Sequence, residues 1–141
     1  MLKKASMAKE LCLTVDNRVG VLNMISALLA DRGINVEALI GHETADEKRS
    51  TIRLVADDSR RAADVFREKK IGTVEELDIV TVDMENKPGA LASMTKLLTQ
   101  KDINIRHLYA TSHTDHTLVR VVLSTNNNEG AYVALKKSVV T

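Results

Sequence analysis

Asparagine and glycine at matched spacing are the residues of this 141-residue chain best suited to chemistry. Asn17 stands three positions before Gly20, and Asn86 three before Gly89. Asn35 and Asn104 each lie fifteen positions beyond their glycine. A primary amide both donates and accepts, so asparagine can read the ammonium or the carboxylate of a zwitterion. A helix that opens on a glycine turn presents unpaired N–H groups at its positive end, which suits a carboxylate. Glycine has no Cβ and lets a ligand approach the backbone. Val19 and Pro88 precede the two glycines, and proline fixes φ, so the second loop is expected to be the better preformed. A plainer reading uses the same residues: Asn17 and Asn86 cap a helix, and Asn35 and Asn104 stabilise a turn. The residues alone leave both open.

Other constellations point to less. His107, His113, Asp115 and His116 hold zinc- or nickel-type ligands, but the first half offers only His42 and nearby acids, so a solvated hairpin is expected and no metal. Cys12 alternates with Leu11 and Leu13, and no base is identified beside it. Glycine-rich phosphate loops, HExxH and GxSxG are missing from the sequence. No catalytic residue and no cofactor are expected.

The elements that must position the asparagines repeat. Residues 17–39 read NRVGVLNMISALLADRGINVEAL and residues 86–108 read NKPGALASMTKLLTQKDINIRHL, at an offset of 69. Eight of the 23 positions are identical, where chance gives about one or two. Leu11, Leu13 and Val15 alternate with polar neighbours, as do Val80, Val82 and Met84, which predicts a strand in each copy with one apolar face. Val21, Leu22, Ile25, Leu28 and Leu29 fall on one helical stripe, matched by Leu91, Met94, Leu97 and Leu98. Gly33 suits the left-handed position past the helix end. Ile34, Val36, Ala38 and Ile40 alternate again, as do Ile103, Ile105, His107 and Tyr109. Residues 41–50 read as a turn before a returning strand with Ile52 and Leu54. That strand is matched to Val119, Val121 and Leu123 at an offset of 67, on the reading that the second hairpin is two residues shorter. Asp57, Asp58 and Ser59 offer caps for a second helix carrying Ala62, Ala63, Val65 and Phe66, and residues 73–77 fit a last strand. In the second copy the last helix is expected over residues 129–137 and the last strand from Val139.

The predicted fold is α+β: two tandem ferredoxin-like βαββαβ units with antiparallel sheets and helices on one face. Expected bounds are an N-terminal tail over 1–8, a first unit over 9–78 and a second over 79–141 with a stunted final strand. Halves of about 70 residues are near the limit for a stable core, and an unpaired edge invites strand pairing, so a homo-oligomer, at least a dimer, is expected.

Composition narrows the partners. Aromatics are 2% of the chain, which nearly excludes a stacking platform for bases. The net charge is +1 and basic residues come in scattered pairs, so neither nucleic acid nor membrane is expected as a partner. A single cysteine, no apolar signal-type run at the N-terminus and no membrane-length apolar stretch give the expectation of a cytoplasmic protein.

Residues 16–22, DNRVGVL, and residues 85–91, ENKPGAL, resemble the loop signature of ACT domains, D/N-R-P-G-x-L, and the second keeps the proline. Gly33-Ile34-Asn35-Val36 and Asp102-Ile103-Asn104-Ile105 resemble that family's entry to the second strand. The resemblance covers about residues 9–141. It implies a regulatory fold, not an enzyme, that binds a small amino acid or related metabolite where two ACT units meet. In the serine-sensing ACT domain of phosphoglycerate dehydrogenase the loop and second-strand asparagines contact the ligand. Their matches here are Asn17, Asn35, Asn86 and Asn104. That domain also uses a histidine two residues before the loop asparagine, where this chain has Val15 and Met84, which argues against serine. Around the loops, Val19, Gly20, Pro88 and Gly89 complete the implied ligand set. Residues 33–55 also resemble the regulatory subunit of acetolactate synthase, which implies an alternative role as an interaction subunit of an amino-acid biosynthetic enzyme.

Overall fold

A computed structural model describes residues 1–112, 115 and 117–140. The elements are β1 (Leu2–Asp16), α1 (Val21–Asp31), β2 (Val36–Glu43), β3 (Arg49–Ala56), α2 (Ser59–Glu68), β4 (Thr73–Glu85), α3 (Ala90–Gln100), β5 (Ile105–Ser112), β6 (Leu118–Thr125) and α4 (Asn128–Lys136). They form two compact units, Lys9–Leu77 and Met1–Ala8 with Asp78–Thr141. β1 and β4 each contribute residues to both units.

In the unit Lys9–Leu77 the strand order is β2-β3-β1-β4. β1 and β3 pair antiparallel, with Leu11 opposite Leu54 and Leu13 opposite Ile52. Alternation puts Leu11, Leu13 and Val15 on one face, in one core with Ile25 and Leu29 of α1 and Ala62, Val65 and Phe66 of α2. Burying each large side chain there stabilises the fold by about 1.5–3 kcal/mol relative to leaving it exposed. α1 ends where Gly33 turns left-handed, φ 67°, and the amides of Gly33 and Ile34 bond back to the carbonyls of Ala30 and Leu29. α2 starts at Asp58, whose carboxylate accepts from the Arg61 amide at 3.1 Å.

The second unit repeats this plan. Its strand order is β1-β4-β6-β5, with residues 2–8 of β1 in the place of a fourth strand. Val80, Val82 and Met84 share a core with Met94 and Leu98 of α3 and Ala131 and Leu135 of α4. Asp102, φ 56°, takes the left-handed turn that Gly33 takes in the first unit. Asn127 caps α4 through its side chain, which accepts from the Gly130 amide at 3.0 Å. The α+β class with two βαββαβ-like units and helices on one side of antiparallel strands is thus the observed fold.

Several expectations are corrected. The expected tail over 1–8 is strand: Leu2 and Ala5 are buried in the second unit's core, and the Glu85 amide donates to the Met1 carbonyl at 3.0 Å. These residues cover the sheet edge expected to be open, and the strand expected from Val139 is a single parallel bridge to Leu2. The second hairpin is not shorter. Leu54 and Leu123 occupy equivalent positions opposite Leu11 and Val80, so the offset stays at 69. In β2 and β5 the alternation breaks at a register shift, between Val36 and Ala38 and between Ile105 and His107. Beyond a bulge every side chain changes face. Leu108, opposite Leu123, therefore faces the core, while His107 and Tyr109 stack on each other at 6.4 Å on the other face. Leu22 and Leu91, placed on the helical stripes, are about half exposed in both units.

Among the described residues no helix is long and apolar enough to cross a membrane. Cys12 is buried, and that burial pushes its thiol above the usual range, with Glu75 and Glu10 adding to the rise and the Arg53 guanidinium opposing it. A protonated, covered thiol is a poor nucleophile. A bulky disulfide reagent at neutral pH is therefore expected to modify Cys12 only as the protein unfolds, and fast modification of the native chain would contradict this packing. Leu2→Ala should lower stability by about 2–4 kcal/mol, because it opens a cavity in the second unit's core. Exposed Met7→Ala should change it by less than about 0.5 kcal/mol. Urea melts of both variants check the strand assignment, and equal melts would refute it.

Candidate functional site

Both first helices begin the same way. Gly20, φ 88°, and Gly89, φ 87°, are the cap residues of α1 and α3, and no side chain caps either helix. The left-handed turn is what requires glycine here, since a Cβ at either position would meet nothing within 4 Å. At α1 the Val21 amide bonds to the Arg18 carbonyl and the Met24 amide to the Gly20 carbonyl. At α3 the Ala90 and Ser93 amides bond in the same way to Lys87 and Gly89. The amides between, Leu22 and Asn23 in one helix and Leu91 and Ala92 in the other, have no partner among the described residues. Each helix thus offers, at its positive end, two donors that no described residue occupies.

The two loop asparagines differ. Neither caps its helix, so the capping reading is overturned. Asn17 is tied to the β2–β3 hairpin. Its amide donates to Glu43 and to the Glu47 carbonyl, both at 2.9 Å, and its carbonyl accepts from the Ser50 hydroxyl at 3.1 Å. At the offset of 69 the counterparts of Glu43 and Ser50 are Ser112 and Val119. The Asn86 backbone keeps its bond to the Thr117 carbonyl, but its exposed side chain has no partner among the described residues. Among the described residues one loop asparagine therefore keeps a side chain without a partner, in the loop that carries Pro88.

Asn35 and Asn104 sit elsewhere. Each exchanges two hydrogen bonds with the residue that follows β3 or β6: the Asn35 amide donates to the Asp57 carboxylate and its carbonyl accepts from the Asp57 amide, and Asn126 does the same for Asn104. Their side chains are exposed. They follow the C-terminal ends of helices that begin beside Asn17 and Asn86, and an eleven-residue helix is about 16 Å long. Within one unit the loop and second-strand asparagines do not converge. Apolar side chains surround the loops instead: Val19 is fully exposed, and Leu22 and Leu91 are half exposed.

Charge also gathers at the loops. Glu85 lies 3.1 Å from Lys87 and 3.5 Å from Lys3, and the hydrogen bond and charge of Lys87 hold its carboxyl below the usual range. Beside the start of α1 a cleft of about 310 Å³ is lined by Arg18, Arg49, Lys70 and Asp16, with Arg49 and Asp16 4.0 Å apart. Sequence reasoning missed Arg49 and Lys70, which come from β3 and the turn after α2 and carry no local motif. Among the described residues no cluster of three histidine, cysteine or acidic side chains could hold a metal, and His113 and His116 of the histidine-rich stretch lie outside those residues.

Comparisons with known proteins agree with this architecture. The family model "AHAS small subunit-like ACT domain" matches residues 11–76, and the model "ACT domain" matches residues 79–138. Comparison with curated proteins finds no match. Among solved structures, protein BT0572 from Bacteroides thetaiotaomicron is similar at a TM-score of 0.85 and 26% identity, over 95% of this chain and 90% of that one. The ligand-free regulatory subunit of aspartate kinase from Thermus thermophilus is similar at a TM-score of 0.67 and 17% identity, over 96% of this chain and 97% of that one. At that identity the second likeness concerns the fold. With matched ACT models over both halves and two βαββαβ-like units in the structure, this chain belongs to the ACT-domain family and carries two such domains in tandem.

Proposed function

We propose that this chain is a non-catalytic regulatory protein of the cytoplasm that senses a small amino acid through its second ACT domain. The observation that carries the reading is the start of α3. Two backbone donors, from Leu91 and Ala92, and the exposed side chain of Asn86 in the same loop have no partner among the described residues. The donors suit the α-carboxylate, and Asn86 suits either end of the zwitterion. Pro88 and Gly89 fix the loop between them. The first-domain residues Asn17, Val19 and Gly20 form the weaker counterpart, because the Asn17 amide is already occupied.

The pocket needs a wall that the α3 loop does not have. Asn104 is at the far end of the helix, so we assign that wall to the second strand of a neighbouring ACT unit in a second copy of the chain, where Asn104, or Asn35 from a first domain, reads the ligand. Exposed Val19, Leu22 and Leu91 favour such packing. The ground for a dimer is thus the incomplete site and not an open sheet edge. A second reading, an interaction subunit of acetolactate synthase or a similar enzyme, is favoured by the AHAS-type match over residues 11–76. In it the exposed apolar side chains meet the enzyme.

A thermal-shift screen against the twenty amino acids, followed by calorimetry, tests the sensor. One amino acid should raise the melting temperature, and light scattering at micromolar concentration should give at least a dimer. Asn86→Ala and Asn104→Ala should each weaken that ligand roughly ten- to a hundredfold, the loss of one hydrogen bond to a charged group. Asn17→Ala should instead lower stability by about 1 kcal/mol as the hairpin tie is lost, with affinity nearly unchanged. Unchanged affinity in a folded Asn86→Ala protein would sink the site. No shift with any amino acid, together with co-purification of a biosynthetic enzyme, would favour the second reading.

A further inference from the structure

The two domains differ most between their helices. In the first, the space between α1 and α2 is crossed by charged side chains. Arg61 donates to the Arg32 carbonyl at 2.7 Å, and Arg32 lies 3.7 Å from Glu68. At the offset of 69, which the caps Asp58 and Asn127 confirm for these helices, the counterparts in the second domain are Gly130 for Arg61, Lys101 for Arg32 and Lys137 for Glu68. Asp64 is replaced by Val133. The bridging side chain is deleted, the ion pair becomes two cations, and an acid becomes an apolar residue.

What results is a groove of about 640 Å³ between α3 and α4. That is within the roughly 300–1,000 Å³ usual for small-molecule sites. Leu97, Ile103 and Val133 give it an apolar lining, and Val133 stays half exposed. Lys101 and Lys137, at the C-terminal caps of α3 and α4, line the same groove, and neither has an acidic partner among the described residues. Glu129 is the single acid in the lining. Two unpaired cations beside an apolar floor complement a molecule with an anionic head and a hydrocarbon tail.

We infer that the α3–α4 groove of the second domain is a binding site for a small aliphatic monocarboxylate, its carboxylate held by Lys101 and Lys137 and its tail lying on Leu97 and Val133. This site is separate from the α3 loop and independent of the sensor reading. Octanoate is the probe, titrated into the full chain by calorimetry with octanol as the uncharged control. Octanoate should bind, and octanol should bind at least about tenfold more weakly, since a charge-assisted contact is lost. Gly130→Arg restores the first domain's bridging residue and should abolish binding. A side chain there must displace the Asn127 amide, which packs against the position of the added Cβ, so a second pair of variants guards against misfolding. Lys101→Glu and Lys137→Glu change only exposed charges and should each weaken octanoate about ten- to a hundredfold. The site is overturned if wild-type protein does not bind millimolar octanoate, if octanol binds equally well, or if folded Lys137→Glu binds as tightly as wild type.

Discussion

Each unit depends on one interaction: the burial of an aliphatic sheet face under two helices. With only three aromatic residues in the chain, that face is built from leucine, isoleucine, valine, methionine and alanine, and Phe66 is the only phenylalanine to join it. A sheet face needs partners on its whole width, so each first strand must be flanked on both sides. In the first unit β3 and β4 flank β1. In the second, β6 lies on one side of β4 and residues 2–8 on the other. The helix starts are held in place by this packing, since Ile25 and Leu29, or Met94 and Leu98, pin each helix while Leu22 or Leu91 of its first turn stays half exposed.

The repeat, the apolar faces of β1 and β4, and the cap at Asp58 were legible because each rests on local spacing. The strand at residues 2–8 was not. Its buried positions, Leu2 and Ala5, are three apart, and Lys3, Lys4 and Ser6 dilute the signal, so no period of two exists to read. The bulges in β2 and β5 were hidden for a related reason. Ile103, Ile105, His107 and Tyr109 look like one alternating face, and only pairing with β6 shows that Leu108 is the inward residue. A reading without partners assigns such a strand to the wrong face.

The candidate site was legible in part. Glycine three residues after an asparagine identified both helix starts, whose turns the structure shows to be left-handed. The state of the asparagines depended on residues far along the chain. Glu43, Glu47 and Ser50, which occupy Asn17, are 26 to 33 residues away and reach it only through the hairpin. The second hairpin has the same length but different residues, so two nearly identical motifs have unlike chemistry. Similarly, the groove between α3 and α4 emerges only when the two units are compared position by position, because Gly130 alone reads as an ordinary weak helix residue.

The use of residues 2–8 by the second unit has a consequence for biosynthesis. They leave the ribosome about seventy residues ahead of the strand they must join. At roughly 5–20 residues per second, that leaves this segment on the order of ten seconds without its partner. The intervening unit, Lys9–Leu77, has all its own strands by then and can fold first. The early segment meanwhile carries two lysines and few large apolar groups. That composition suits a nascent strand that must wait in water without attracting other chains.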